Sequence, residues 1–183
     1  MSEELELINK YLTEVSNCIN KMSIVPIYRA IDLIKQTRTN GRYIYTFGNG
    51  GSGSTASHLA SDLSKGCGCR AFCLNDSIPL LTAYGNDNGY EHIFELQLDN
   101  IIEDKDLAIA ISGSGNSINI INGIRMAKFK RAKTIGITGF NGGKLKELVD
   151  IPIMISVNNM EQIEDIHLMI CHIIKVGLRL NFQ

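Results

Sequence analysis

The stretch YIYTFGNGGSGS, residues 43–54, decides the fold class of this 183-residue chain. Residues 43–47 are mostly apolar or β-favouring, which is typical of a buried strand. A glycine-rich turn follows, and then a predicted helix from about Ser54 to Ser64. A strand that runs directly into a glycine-rich turn and a helix is the opening unit of a parallel α/β sheet.

The alternation of apolar strands and helices continues from this stretch to the end of the chain. Further short apolar segments lie at residues 70–74, 106–111, 134–138 and 151–157, with helical segments between them. A final helix is predicted from about Met160 to Leu180. Short apolar strands that alternate with helices indicate a parallel sheet covered on both faces, so we expect a three-layer αβα sandwich with five parallel strands.

Two helices, forming a hairpin, are predicted before the first strand. Apolar residues recur at helical spacing through residues 5–34, and Pro26 is expected to divide this run because proline lacks an N–H and clashes with the preceding turn. Asn40-Gly41 then ends the second helix. We find no linker, repeat or low-complexity tract. Residues 1–183 are therefore predicted to form one domain, with a helical hairpin at 1–40 and an α/β core at 41–183.

Composition and charge narrow the possible classes of protein. Lys+Arg is 18 and Asp+Glu is 19, so the chain lacks the basic surplus of most nucleic-acid binders, and an anionic ligand must be held by local donors. No apolar run reaches 18 residues, and the acidic start lacks the basic and apolar parts of a signal peptide. These features predict a cytoplasmic protein with neither a nucleic-acid nor a membrane partner.

The five cysteines are expected to be reduced thiols. They are Cys18, Cys67, Cys69, Cys73 and Cys171. An odd number in an unexported chain argues against a disulfide framework. Cys67-Gly68-Cys69 has no second pair at a metal-like spacing, so we interpret it as small residues around a helix end before a strand.

Two loops rich in glycine and serine follow the first and third predicted strands. In open parallel sheets, ligands bind outside the carboxyl ends of the strands, where the strand order reverses. Residues 48–54 (GNGGSGS) fit neither the dinucleotide fingerprint nor the P-loop, which disfavours a nucleotide. Residues 112–117 (SGSGNS) combine hydroxyls with the free amides of a helix that begins near Asn116, a set suited to a phosphate dianion. Either loop alone could simply cap its helix, but two at equivalent strand ends favour a phosphate-bearing ligand.

A third polar loop, GNDNG at residues 85–89, lies between predicted helical segments. Asn, Asp and Gly dominate ordinary turns, so this loop could be only a turn. Alternatively, Asn86 and Asp87 could contact the hydroxyls of a sugar. The spacing of these residues does not separate the two possibilities.

His58 and Asp62 lie four residues apart on the helix after the first loop, so they share a face. Such a pair can hold one divalent metal ion or act as a general base with its partner, although it is more often a plain surface pair. The last helix adds His172, which we expect to be semi-buried among apolar residues. Its alternative role is that of a hydrogen-bonded group in the core.

Three acids precede His172 on the last helix, namely Glu161, Glu164 and Asp165. Helical geometry puts Asp165 nearly on the same stripe as His172, with Glu164 about 80° around the helix. Crowded carboxylates repel one another, and a bound cation or a raised pKa on one of them would relieve the repulsion. We therefore expect this helix to add titratable groups to the site that the first loops form.

These motifs, in their order and spacing, resemble the sugar-isomerase (SIS) domain family over nearly the whole chain, and within it the branch that acts on phosphorylated heptoses. The most specific parts are residues 48–52 with His58, residues 85–87, 112–117 and 138–143, and Gln162-Ile163-Glu164 with His172. The resemblance implies a flavodoxin-like fold and a homotetramer with active sites at subunit contacts. It also implies that the chain interconverts sedoheptulose 7-phosphate and D-glycero-D-manno-heptose 7-phosphate through an enediol.

The resemblance further implies a role for each motif residue. Those that line the substrate would be Asn49, Gly50, Gly51, Ser52 and Glu164; those that hold its phosphate would be Ser112, Gly113, Ser114 and Ser117; and those that meet its hydroxyls would be Asn86 and Asp87. The implied acid and base are Asp62 and His172. A divalent metal, zinc in the related sites, would be held by His58, Asp62, Glu164 and His172.

Three positions depart from the family's pattern. Asp62 replaces a glutamate that is one methylene longer, and about 1 Å of misplacement at a reacting group can cost a hundredfold in rate. Glu164 replaces a glutamine, which completes a set of two histidines and two carboxylates that should hold a divalent cation more firmly. Gly113 replaces a threonine, so one hydroxyl donor is missing. The alternatives are an isomerase of another sugar phosphate and a non-catalytic SIS protein that binds a phosphosugar or a partner.

Overall fold

The computed structural model describes residues 2–180, which form a parallel sheet of five strands surrounded by helices. The strands are β1 (Tyr43–Gly48), β2 (Arg70–Cys73), β3 (Leu107–Ser112), β4 (Lys133–Gly139) and β5 (Ile151–Ile155). They lie in the order β2-β1-β3-β4-β5, and each neighbouring pair is parallel. This order is that of flavodoxin-like folds, and it reverses between β1 and β3. The predicted five-stranded parallel sheet is confirmed.

Helices precede the sheet and connect its strands. They are α1 (Glu3–Lys21), α2 (Val25–Thr39), α3 (Gly50–Cys67), α4 (Ile78–Asn88), α5 (Glu95–Ile101), α6 (Ile118–Phe129), α7 (Leu145–Leu148) and α8 (Met160–Arg179), with a short 3-10 helix (Tyr90–His92) before α5. Pro26 lies in the first turn of α2, where a missing N–H breaks no helical hydrogen bond, so the break falls just before the proline. None of the helices within residues 2–180 is both long and apolar enough to cross a membrane.

The sheet separates two apolar cores, because successive side chains of a strand point to opposite faces. Leu107, Ile109 and Ile111 of β3 pack into the core formed with α2, α3 and α8. Ala108 and Ala110 pack into the core formed with α5 and α6. All six residues of β3 are buried, as expected for a central parallel strand with both faces covered. The three-layer αβα sandwich is therefore confirmed.

Three predicted helix boundaries are wrong, all of them in polar loops. α3 begins at Gly50 instead of about Ser54, because Gly53 already donates its N–H to the carbonyl of Asn49. α6 begins at Ile118, later than predicted. Residues 85–88, predicted as a loop, form the end of α4, and Gly89 with a φ of 98° ends that helix. Glycine lowers helix propensity by only about 1 kcal/mol, so a turn-like sequence can still continue a helix.

Candidate active site

The reversal of strand order between β1 and β3 opens a cavity at the carboxyl ends of these strands, as the fold class predicts. Its volume is about 250 Å³. Two predicted loops and two residues of α8 line it, namely Asn49, Gly50, Gly51, Ser52, Ser112, Gly113, Ser114, Ser117, Met160 and Glu164. We call this cavity the cradle. The structure thus brings the predicted residues of both loops together at one place.

The first wall of the cradle is the tight junction of β1 and α3. The Asn75 side chain accepts a hydrogen bond from the Gly48 N–H at 3.1 Å and donates one to the Gly48 carbonyl at 2.8 Å. A Cβ at Gly48 would lie 2.6 Å from the carbonyl of Ser52, so this turn requires glycine. The side-chain amides of Asn49 and Asn119 exchange two hydrogen bonds at 2.8 and 2.9 Å. The free amides at the start of α3 are therefore held in a rigid frame.

The second wall is the serine loop between β3 and α6. Ser117 is the N-cap residue of α6, yet its side chain makes no capping hydrogen bond within residues 2–180. The hydroxyl oxygens of Ser112 and Ser114 each accept a backbone N–H at 3.2 Å, which orients them and leaves their O–H protons to donate. All three hydroxyls can therefore donate to a bound anion, and a capping role alone does not account for this loop.

The loop after β4 holds the serine loop in place. Gly139 donates its N–H to the Gly113 carbonyl at 2.9 Å, and Leu145 donates to the Gly115 carbonyl at 3.0 Å. Gly115 has a φ of 63°, and a Cβ there would lie 2.1 Å from the carbonyl oxygen of Gly142. The motif at residues 138–143 therefore supports the cradle through backbone packing.

The cradle contains hydroxyl and amide donors but, among the described residues that line it, neither lysine nor arginine. Its charged side chain is Glu164, which is partly exposed. A Cβ at Gly51 would lie 2.5 Å from Oε2 of Glu164, so the glycine makes room for this carboxylate. The cradle can therefore bind an anion only through directed hydrogen bonds.

A second polar cavity of about 570 Å³ adjoins the cradle at Gly50 and runs along α3 to His58. Its lining consists of Gly50, Gly53, Ser54, Ser57, His58, Ser61, Asn75 and Asp76. The helix rises roughly 12 Å between Gly50 and His58 at about 1.5 Å per residue. An extended chain with several hydroxyls can therefore lie between the cradle and His58.

Two helices bring two histidines and an aspartate together beyond this cavity. His58 and Asp62 come from α3, and His172 comes from α8, which packs against α3. The Nε2 atom of His58 lies 3.1 Å from Nε2 of His172 and 3.4 Å from Oδ2 of Asp62. One ligand atom of each residue lies within 4.8 Å of the others. The side chain of Asp62 is 14% exposed, whereas that of His58 is 50% exposed.

The three ligand atoms fit a divalent metal ion. In a tetrahedral zinc site with bonds of about 2.0–2.1 Å, neighbouring ligand atoms lie roughly 3.3 Å apart, close to the 3.1 and 3.4 Å separations from Nε2 of His58. The Oδ2 atom of Asp62 is buried and has no hydrogen-bond partner among residues 2–180. A buried carboxylate oxygen without a donor is unfavourable, and a bound cation would satisfy it. These residues therefore suit the metal that the resemblance implies.

Two further residues of α8 surround Asp62. The Nζ atom of Lys175 lies 2.5 Å from Oδ1, the other oxygen of the Asp62 carboxylate. Burial raises the pKa of the Cys171 thiol to about 12, and the charge of Asp62 adds to this rise. The thiol of Cys171 is therefore protonated at neutral pH.

The predicted groups on α8 separate in the structure. His172 is exposed and not semi-buried, because its apolar neighbours Cys171 and Ile174 face the core while His172 points away from it. Glu164 lines the cradle and does not belong to the cluster of His58, Asp62 and His172. Asp165 accepts a hydrogen bond from the Tyr11 hydroxyl at 2.6 Å. That bond, with burial and the charge of Asp165, raises the pKa of Tyr11 to about 12.

Asn86 and Asp87 lie apart from the cradle within this chain. They are exposed in the last turn of α4, where the Asn86 side chain donates a hydrogen bond to Asp87 at 2.7 Å. Neither residue lines the cradle or the cavity beside α3. Their contact with a sugar remains a prediction.

Several residues of the site escaped the sequence analysis. The first loop is held by three side chains that the sequence analysis did not name, those of Asn75, Asn119 and Tyr90. The Tyr90 hydroxyl donates a hydrogen bond to the Asn49 side chain at 3.0 Å. Asn75 follows β2, so the rule of inspecting strand ends could have found it.

Lys175 lies three residues after His172, a spacing that puts both on one side of the helix. Met160 has no sequence signal of this kind.

Known proteins share this sequence pattern and fold. The sequence model of the SIS domain family matches residues 9–139 of this chain. A phosphoheptose isomerase from Aliarcobacter butzleri is 38% identical over 154 residues, which covers 81% of this chain and 82% of the relative. One from Aneurinibacillus thermoaerophilus is 36% identical over 181 residues and covers 91% of both. The solved phosphoheptose isomerase of Francisella tularensis has a TM-score of 0.93 at 27% identity, covering 99% of this chain and 100% of that one. The chain therefore belongs to the SIS domain family, in the group of the phosphoheptose isomerases.

Proposed function

We propose that this chain interconverts sedoheptulose 7-phosphate and D-glycero-D-manno-heptose 7-phosphate through an enediol. The observation that carries this proposal is a single helix, α3, whose first turn lines the cradle and whose third and fourth turns carry His58 and Asp62. One end of this helix can bind a phosphate group while the other presents a base. The phosphoheptose isomerases to which the chain is similar support the choice of sugar.

The phosphate group binds in the cradle. It accepts hydrogen bonds from the hydroxyls of Ser112, Ser114 and Ser117 and from the free amides at the starts of α3 and α6. Glu164, which borders the same space, can accept a hydrogen bond from a sugar hydroxyl. The carbon chain then extends along the polar cavity beside α3, whose lining reaches as far as His58 of the cluster.

Asp62 and His172 perform the proton transfers. The Asp62 carboxylate takes the proton from the carbon next to the carbonyl, and the His172 imidazole moves a proton between the two oxygens. Return of the proton from Asp62 to the neighbouring carbon converts ketose to aldose. Because the Asp62 side chain is only 14% exposed, few water molecules compete for its proton.

We further propose that His58, Asp62 and His172 hold a divalent metal ion, and zinc suits this set of nitrogen and oxygen ligands. When bound, the ion polarises the oxygens of the substrate as a Lewis acid. Glu164 lies eight residues before His172, roughly 12 Å along α8. We therefore propose that Glu164 joins a metal site only across a subunit contact.

We propose that the chain assembles as a homotetramer in the cytoplasm. Helix α1 supports the assembly, because none of its described residues is buried and Leu5, Ile8 and Leu12 are between 51% and 62% exposed. An exposed apolar helix face of this kind is typical of a contact between proteins. The five free cysteines support the compartment, since a reducing environment keeps thiols unpaired.

Proton NMR of the purified protein with sedoheptulose 7-phosphate in deuterated water tests the reaction. We expect deuterium at the carbon next to the carbonyl, and a growing aldose signal, because the enediol exchanges its proton with solvent. Runs with added zinc and with a chelator compare the turnover of the metal-bound and the metal-free site. Absence of both exchange and aldose would contradict the proposed reaction. Exchange on another sugar phosphate alone would indicate a different isomerase, and binding without exchange would indicate a phosphosugar-binding protein.

Substitution of the base tests its role directly. Asp62→Asn keeps the size of the side chain but removes its basicity, so we expect kcat to fall about 100-fold or more with a smaller change in KM. The matched control is Asp99→Asn on α5, which removes a carboxylate paired with Lys130 at 2.8 Å on the other face of the sheet. Full turnover by folded Asp62→Asn would show that another group is the base.

A further inference from the structure

Lys175 lies beside the histidine cluster without a role in the reaction proposed above. Its Nζ atom lies 2.5 Å from Oδ1 of Asp62, and the two side chains are 26% and 14% exposed. The stem of Lys175 passes close to Gly66 of α3, where a Cβ would lie 3.3 Å from its Cε atom. The ammonium group is therefore held between α3 and α8, against one oxygen of the carboxylate.

The two carboxylate oxygens of Asp62 differ in their hydrogen-bond partners. Oδ1 pairs with the ammonium, whereas Oδ2 is buried, lacks a hydrogen-bond partner among the described residues, and lies 3.4 Å from Nε2 of His58. The terminal torsion of an aspartate is broad and roughly two-fold, so a carboxylate without an anchor rotates easily. Lys175 restricts this rotation and leaves one defined oxygen directed at the imidazoles.

A purely structural ion pair does not account for this arrangement. Buried ion pairs stabilise a fold only when the remaining lone pairs are also satisfied. Here the pair leaves Oδ2 of Asp62 buried without a donor among residues 2–180. An oxygen that is fixed in place but unsatisfied is what a site needs when a proton or a cation is to arrive there.

We propose that Lys175 is a positioning residue, which holds Oδ1 of Asp62 so that Oδ2 alone meets the substrate proton or the metal ion. The catalytic half of this statement rests on the proposed function. Lys175 also offsets the charge of Asp62, so a divalent cation is attracted less strongly than it would be by the carboxylate alone. Orientation by Lys175 thus favours turnover, while its charge weakens cation binding.

Lys175→Met separates these two effects. We expect kcat to fall about tenfold or more, because misplacement of a reacting group by about 1 Å can cost a hundredfold, while KM changes by less than about threefold. Calorimetric titration with zinc alone should show an affinity about fivefold higher or more, because the lost charge repulsion exceeds the effect of one freed torsion. Lys175→Arg keeps the charge and donors, so it should restore most of kcat and the original zinc affinity.

Opposite changes in turnover and zinc affinity distinguish positioning from damage to the fold, which would lower both. Lys130→Met is the matched control, since it removes the lysine of an ion pair on another face of the molecule and should change neither value. If circular dichroism shows that Lys175→Met does not fold, Lys175→Gln replaces it. The glutamine can still donate to Oδ1 but has no charge, so it should largely keep kcat and bind zinc more tightly.

Full turnover in Lys175→Met would overturn the proposal. So would zinc binding that is unchanged or weaker in a folded variant, or zinc binding by neither protein. If the unmodified chain turns over no heptose phosphate, the proposed function fails on its own. The zinc titration needs no substrate, so it still decides whether Lys175 governs the Asp62 carboxylate.

Discussion

Gly113 and Met160 share a space that only one of them can fill. A Cβ at Gly113 would lie 2.4 Å from the Sδ atom of Met160 and 3.1 Å from its Cε atom. Met160 lines the cradle from the first turn of α8. The position where the family pattern has a threonine is therefore coupled in this chain to a large side chain on another element.

This coupling predicts a non-additive pair of substitutions. Gly113→Thr alone must displace Met160, so we expect it to lower the free energy of unfolding by about 1–3 kcal/mol. In the background of Met160→Ala the same threonine has room, and its additional effect should be smaller by about 1 kcal/mol or more. Denaturant unfolding of the two single variants and the double variant measures the difference. Simple additivity would show that Met160 does not occupy the place of the threonine.

At the scale of an element, α8 depends on one capping side chain at its start. The Asn159 side chain accepts the N–H of Gln162 at 3.0 Å, immediately before the turn that carries Met160 and Glu164. We expect Asn159→Ala to lower the free energy of unfolding by about 1 kcal/mol. Ser77→Ala is the control, because Ser77 is the N-cap residue of α4 but makes no side-chain capping bond within the described chain. Equal losses in the two variants would contradict this role for Asn159.

The strands and long helices could be predicted from the sequence because each carries a repeated signal. Successive apolar residues of β3 and the helical spacing in α8 repeat over several turns or pleats. Boundaries in polar segments could not be predicted as well. The sequence of residues 85–88 favours a turn, but the chain continues as α4 and turns only at Gly89. A local preference of about 1 kcal/mol is too small to fix the end of a helix by itself.

Only some residues of the candidate site could be predicted from the sequence. The glycine and serine loops could be placed together because the carboxyl ends of neighbouring parallel strands meet at one edge. The partner of Asp62 could not be predicted, because contact with Lys175 depends on how α3 and α8 pack and on side-chain direction. The direction of His172 away from the core was missed because apolar residues flank it in sequence on both sides.

At the scale of the whole molecule, one buried histidine links stability to pH. His167 is 1% exposed, and burial lowers its pKa to about 4. Between this value and the ordinary pKa near 6.5, the unfolded chain binds more protons than the folded one, so stability falls as the pH falls. The full effect is about 3 kcal/mol. His167→Leu should flatten the unfolding free energy between pH 6.5 and 4 relative to the unmodified chain, and an unchanged slope would contradict this.

The exposed apolar face of α1 leads to a prediction about assembly. Replacing Leu5, Ile8 and Leu12 together by serine should reduce the mass measured by light scattering to that of smaller assemblies, because the apolar contact is lost. Circular dichroism should stay nearly unchanged, since none of the described residues of α1 is buried in its own chain. A tetramer that survives the triple substitution, or an unmodified chain that is monomeric, would contradict the proposed contact.

The neutral donors of the cradle have a consequence for how the protein responds to salt. Proteins that hold phosphate with lysine and arginine lose affinity steeply as ionic strength rises, because mobile ions screen charges beyond about 3 Å at 1 M salt. Hydroxyls and backbone amides act at contact distance, and the carboxylate of Glu164 adds a weak repulsion that salt would screen. The KM for a sugar phosphate should therefore stay constant or fall slightly as the sodium chloride concentration is raised. This chain would then bind its substrate equally well at low and at high ionic strength.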